Sequence, residues 1–324
     1  MPAKGRSGTP IELSQLQHPL RWRVLQLCSR QLDRRLRAST GAIAFGFGRR
    51  QRRGQVQPEW CLKVYVRRKV TRPPRSRVIP PELVLRVSIH GKRRRVRVPI
   101  DVVALSIRPR AQQGPWSAVY NEGSPQLPGT LTAVVRSEQY GDLLLAAGHV
   151  AARNTILSAP CAGERIMMGD GACIGALFFA PDLSVSPLDV ALISPFDNLD
   201  AIPARILPRP HGPVTSVRPH QSLGAAHNER FELLSFLDTR MMIFAGCIPQ
   251  LTIPGYAVGN VEFRNVLHFQ CASRGGDSGA LVVDSGNRGV GMHVLGTGMG
   301  EAFALPLDTI LGGTWCGYNL SIQG

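Results

Sequence analysis

The chain has 324 residues, is 44% apolar and carries a formal charge of +16 at neutral pH. No stretch approaches the roughly 20 apolar residues of a membrane-spanning helix, which excludes a helical membrane protein. The opening Met-Pro-Ala-Lys-Gly-Arg leads into polar sequence instead of an apolar signal core, so ordinary secretion is not expected.

The charge is unevenly placed. Residues 1–110 hold 27 Lys and Arg against five acids, a net +22; residues 111–324 hold 11 Arg, no Lys and 17 acids, a net −6. Two electrostatically opposite parts predict a domain boundary between them. Seven cysteines, at 28, 61, 161, 173, 247, 271 and 316, form no C-x-x-C pair. They read as reduced core residues of a cytoplasmic protein, since secreted domains tend to pair theirs. No metal site and no cofactor is expected.

In chain order, residues 20–38 read as an amphipathic helix, with Leu25, Cys28, Leu32 and Leu36 at spacings of three and four and Gly41 ending it. Strand-like runs follow at Ala42–Gly48, Cys61–Val66, Leu83–Ile89 and Arg95–Ile107, with Gly91 suited to a hairpin turn. The basic stretch Arg49–Gly54 and the Pro-rich Thr71–Pro81 read as connections. Residues 1–112 are thus expected to form a small basic α+β domain, and the Gly-, Pro- and Ser-rich residues 113–128 a linker.

From residue 129 to 324 the pattern changes to short apolar runs spaced near ten residues by Gly and Pro. These are Leu131–Val135, Leu143–Ala147, Ala176–Phe179, Val190–Ile193, Met241–Phe244, Val266–Phe269, Ala280–Val283 and Gly289–Val294. Such spacing predicts an antiparallel all-β sandwich or barrel.

Three motifs in this part carry chemistry. Gly275-Gly-Asp-Ser278-Gly-Ala is a turn whose glycines permit strained dihedrals and close approach of backbone to a substrate. There the Gly276 and Ser278 amides can converge on one oxygen, and Ser278 can serve as nucleophile if a base takes its proton. His149 follows the apolar run Leu143–Ala147 on a small-residue turn. Asp189 enters the apolar run Val190–Ile193, where it can accept a hydrogen bond from His149; Asp182 is the rival carboxylate, ahead of a Ser/Pro loop.

Together the motifs resemble the chymotrypsin-like serine proteases, in the order His, Asp, Ser, over roughly residues 125–312. The resemblance implies a serine endopeptidase of two six-stranded antiparallel barrels, with His149, Asp189 and Ser278 as triad and the Gly276 and Ser278 amides as oxyanion hole. Two departures stand out. The Ile-Val-Gly-Gly activation terminus of trypsin-like members is missing, and Val150 stands where many secreted relatives have Cys.

The resemblance also places the substrate pocket at Ala272, Ser273, His293 and Gly296. Ala272 stands where an Asp would signal Arg or Lys preference. Gly291-Met292-His293 is similar to the picornaviral 3C-like and staphylococcal glutamyl endopeptidases, in which a hydroxyl and a His recognise Glu or Gln.

Outside this resemblance, the runs Arg49–Arg53, Arg67–Lys69 and Lys92–Arg95 suit the backbone of a nucleic acid or another polyanion, with Arg93, Arg94 and Arg95 as candidate contacts. Docking on the acidic part and a solvated face are the other readings of these charges. The remaining alternatives are a nucleic-acid- or partner-binding protein with a vestigial protease fold, and an N-terminal part that is a removable pro-segment. The expected partner of an active enzyme is a protein or peptide substrate, with no membrane involved.

Overall fold

The computed structural model describes residues 10–52, 55–70, 78–89, 91–105, 118–152, 163–196, 212, 214–256, 258–297, 300–317 and 319–323. Strand β1 (Ile11–Glu12) precedes helix α1 (His18–Thr40). Pro19 sits in the first turn of α1, where its missing N–H costs nothing, and Gly41 ends the helix in the left-handed region at φ 68°. Trp22, Leu25, Cys28 and Leu32 form its buried stripe. Strands β2 (Ala42–Arg52) and β3 (Gln55–Val66) make a hairpin, and β4 (Glu82–Ile89) and β5 (Lys92–Ala104) make another around Gly91 at φ 74°. Strand β5 also lies parallel to β3, with Leu62 opposite Ile100.

The later strands form two antiparallel groups. The first contains β6 (Val119–Asn121), β7 (Leu131–Ser137), β8 (Gly141–Ala147), β9 (Arg165–Met168), β10 (Cys173–Phe179) and β11 (Val190–Pro195). They run β7-β8-β11-β10-β9-β6 across one sheet. A bridge from Val119 to Gly129 returns β6 to the start of β7. The C-terminal strand Leu320–Gln323 adds to the other edge of β7.

The second group contains β12 (Arg230–Leu234), β13 (Thr239–Tyr256), β14 (Gly259–Gln270), β15 (Leu281–Asp284), β16 (Gly289–Thr297) and β17 (Glu301–Pro306). Their pairings run β13-β12-β15-β16-β17-β14 and return from β14 to β13, so the cycle has no free edge.

The N-terminal strands join this second group directly. Beyond its pairing with β12, β13 pairs with β2, with Cys247 opposite Phe47 and Leu251 opposite Ala44. Glycines make the junction tight: a Cβ on Gly48 would stand 2.1 Å from the Ala245 carbonyl oxygen. One hydrophobic core includes Trp22, Leu25, Phe47 and Trp60 together with Phe231, Phe244 and Phe269. Trp22 stacks on Phe244 at 6.2 Å between ring centres. A second core lies between the two strand groups.

Polar groups cross the junction too. The Tyr65 ring lies over Gly46, its hydroxyl meets His268 Nδ1 at 3.0 Å, and His268 Nε2 pairs with Glu301. Lys63 is fully buried beside them, and burial lowers its pKa, with the charges of Cys61, Glu301 and Asp101 opposing.

Two sequence expectations need correction. Residues Arg49–Arg52 continue β2 instead of looping, because Arg49 faces Trp60 across the hairpin and stacks on its ring at 5.0 Å. In addition, Val119–Asn121, inside the expected linker, pairs with β9 as a strand. The expectations on residues 71–77, Ile107 and Cys161 lie outside the described residues.

Candidate active site

Strands β8 and β11 pair with Val190 opposite Ala147, so the residue before β11 stands beside the turn after β8. That turn is the helical turn Gly148–Ala151 and carries His149. Position 148 must be glycine, since a Cβ there would stand 2.7 Å from Asp189 Oδ1. The space it leaves is filled by the carboxylate. His149 Nδ1 meets Asp189 Oδ2 at 2.5 Å, and the His149 backbone N–H donates to Oδ1 at 2.8 Å.

Asp189 has no exposed surface, whereas the His149 side chain is 26% exposed. Burial works against the imidazolium, but the Asp189 charge and hydrogen bond outweigh it and raise the His149 pKa above its ordinary value. Burial likewise works against the Asp189 charge, but His149 and Tyr256 overcome it and lower that pKa. Asp182 accepts from the Ser184 amide and hydroxyl of its own turn instead.

The Ser278 turn is fastened from both strand groups. Thr130 N–H donates to the Ser278 carbonyl at 2.7 Å, Thr130 Oγ1 to the Gly276 carbonyl at 3.0 Å, and Thr132 Oγ1 to the Gly279 carbonyl at 2.6 Å. From β16, the His293 carbonyl accepts the Gly279 N–H at 2.8 Å. Gly276 and Gly279 have φ of 94° and 89°, a region that penalises any side chain. A Cβ on Gly279 would lie 3.5 Å from Ala147 N, which sets this turn against the strand end leading to His149. Neither the Gly276 nor the Ser278 amide donates to another backbone carbonyl among the described residues.

Sequence reasoning missed two residues here. Arg240, at the start of β13, pairs with the fully buried Asp277 and donates to Asp238 Oδ1 and the Ala272 carbonyl, each at 2.5 Å. Asp277 Oδ2 also accepts the Arg274 N–H at 2.6 Å, so an internal ion pair anchors the turn before Ser278. Tyr256, at the end of β13, donates its hydroxyl to Asp189 Oδ2 at 2.8 Å.

The four candidate pocket residues lie together. Ser273 Oγ and His293 Nε2 are 3.0 Å apart, and a Cβ on Gly296 would stand 2.0 Å from Ser273 Oγ. Gly296 therefore makes the space that Ser273 occupies. Burial lowers the His293 pKa to about 4, so its imidazole is neutral at physiological pH. Ala272 contributes the carbonyl held by Arg240.

The basic candidates separate. Cross-strand pairs put Arg86 opposite Arg95 and Ser88 opposite Arg93, whereas Arg94 lies opposite Val87 on the other face of the ribbon. Arg97 shares the first face and pairs with Glu12 and Glu82. Arg49 is buried, donating to the Pro58 and Gly224 carbonyls, and burial lowers its pKa to about 10. Among the cysteines, Cys28, Cys61, Cys247 and Cys271 are buried thiols; burial raises Cys28 and Cys61 to about 12. No group of three metal-ligating side chains occurs among the described residues.

No family model matches the chain, and no curated protein matches it. Among solved structures, it is similar to a glutamic-acid-specific serine protease that uses a histidine triad in substrate binding, with TM-score 0.45 and 18% identity over 64% of this chain and 97% of that one. It is also similar to a Nocardiopsis protease (TM-score 0.44, 14% identity, 64% and 96% covered) and to chymotrypsin of Cellulomonas bogoriensis (0.40, 16%, 64% and 95%). These neighbours are serine proteases of the chymotrypsin-like kind that the three motifs resemble. The likeness is one of fold, at low identity.

Proposed function

We propose that the chain is a serine endopeptidase whose triad is His149, Asp189 and Ser278. The observation that carries this reading is the pairing of His149 with the fully buried Asp189, mounted beside the glycine turn that presents Ser278. Two six-stranded barrels, one the closed β12–β17 cycle and the other β6–β11, would place the cleft between them.

In this mechanism Ser278 Oγ attacks the scissile carbonyl while His149 Nε2 takes its proton. The negative oxygen is held by the Gly276 and Ser278 amides, neither of which donates to a backbone carbonyl among the described residues. His149 then passes its proton to the leaving amine, giving an acyl-enzyme. Water, deprotonated by His149, attacks the ester and restores Ser278. Asp189 keeps Nδ1 protonated and Nε2 available throughout.

The Ser273–His293 pair supports a preference for Glu or Gln before the scissile bond. A hydroxyl and a neutral imidazole held 3.0 Å apart can together pair an amide or carboxylate oxygen. The buried thiols fit a reducing, cytoplasmic setting. Arg86, Arg93 and Arg95 on one ribbon face suit a polyanion, because like charges facing one another across a strand pair are unfavourable without a counter-ion. Cleavage of a peptide library by the native protein tests the proposal: products should end in Glu or Gln and vanish with Ser278→Ala. Undiminished cleavage by that variant would overturn it.

A further inference from the structure

We propose that Tyr256 is a positioning residue of the triad, fixing Asp189 against His149 from the far strand group. This rests on the serine-peptidase reading. Oδ2 of Asp189 takes two bonds, from His149 Nδ1 at 2.5 Å and from the Tyr256 hydroxyl at 2.8 Å, while Oδ1 takes the His149 amide. With three donors on two oxygens, the carboxylate is restrained from turning away from the imidazole.

The position is built. Tyr256 ends β13, and a register shift between Ile253 and Tyr256 re-aims the side chain out of the strand's alternation. Its ring packs on Phe263 at 5.7 Å between centres. The same strand is paired with β2 over Gly246–Leu251, so the N-terminal segment braces the strand that delivers the hydroxyl. Burial, with the Asp189 charge beside it, keeps the phenol protonated well above neutral pH, so it remains a donor.

The titratable groups facing His149 and Asp189 are one another, Tyr256 from β13 and His293 from β16, the last neutral above about pH 4. Tyr256→Phe retains the ring and removes one donor from Oδ2. The carboxylate then becomes more basic and holds the His149 proton more firmly, which moves the His149 titration to higher pH.

Two readouts test this. NMR titration of ¹⁵N-labelled histidine should show the His149 midpoint rising by about half a unit or more in Tyr256→Phe. Peptide cleavage should show kcat falling about tenfold with KM within about twofold, because Tyr256 touches no substrate. In an Asp189→Asn background the same change should cost far less, since the partner oxygen is gone. An unmoved His149 midpoint in the folded variant overturns the proposal, as does an equal loss in both backgrounds. The titration reads His149 whether or not peptides are cleaved. Absent peptidase activity would therefore count against the proposed function, and a static midpoint against Tyr256 alone.

Discussion

Arg240→Met should damage the site without touching any triad residue. The Arg240 side chain is 12% exposed, and its pair with the fully buried Asp277 is the internal cation at the base of the Ser278 turn. Without it, Asp277 keeps the Arg274 amide as its remaining hydrogen-bond donor among the described residues. Removing one partner of a buried pair costs about 3–5 kcal/mol when the other charge stays buried. The Arg240 bond to the partly exposed Asp238 adds less, because solvent screens it. The turn can escape part of this cost by swinging Asp277 toward water, which would carry the Gly276 and Ser278 amides out of line and cost about 10²–10³ in kcat. The assay is paired: denaturant unfolding gives the stability loss, and kcat on a cleaved peptide gives the loss of turn geometry. At least one must fall by the stated amount. A variant within 1 kcal/mol of native stability and within about threefold of native kcat would refute the reasoning.

Four further outcomes follow from the same geometry. Ser278→Ala and His149→Ala should lower kcat by up to roughly 10⁶, and Asp189→Asn by about 10⁴, with folding retained; mutant kinetics beside far-UV circular dichroism check both halves. Because Asp189 raises the His149 pKa above 6.5 and the base must be neutral, kcat/KM should rise with pH through a midpoint above 6.5; a midpoint below 6 would contradict it. His293 refuses in the folded state, down to about pH 4, a proton that the unfolded chain takes up near 6.5, so its contribution is intact above pH 6.5 and about 3 kcal/mol is lost as pH falls to 4. Unfolding titrations of native protein and His293→Gln should differ in slope across that window, and parallel curves would contradict it. Finally, neutralising Arg86, Arg93 and Arg95 together should flatten the salt dependence of duplex DNA binding by the full chain, whereas neutralising Arg94 alone should do less; equal effects would argue against a single binding face.

The motifs that hold the proposed triad stand out in the sequence because each depends on local chemistry. A glycine turn around a serine, a small residue before a histidine and a carboxylate leading a strand all leave marks on adjacent residues. Gly148 shows this well: its lack of a side chain is what admits Asp189. Arg240 and Tyr256 left no such mark. They reach the site through strand pairings spanning many residues, and an arginine or tyrosine near a strand end has no distinctive neighbourhood. The length of β13 was hidden in the same way: the apolar run Met241–Phe244 marks only its first part, and the strand continues through Pro249 and Pro254 across two register shifts. Charge was misread where a partner lay far off. Arg49 sits in a basic run yet is buried through Trp60 and the Gly224 carbonyl. Likewise, Arg94 differs from its neighbours only by the alternation of β5.

The central claim is that Ser278 is a nucleophile activated by His149. Reaction with a fluorophosphonate, followed by peptide mass spectrometry, tests it without knowledge of the substrate. The account predicts one adduct, on Ser278, which is absent from Ser278→Ala and strongly slowed in His149→Ala. No adduct on the native protein, or labelling that survives Ser278→Ala, would contradict it.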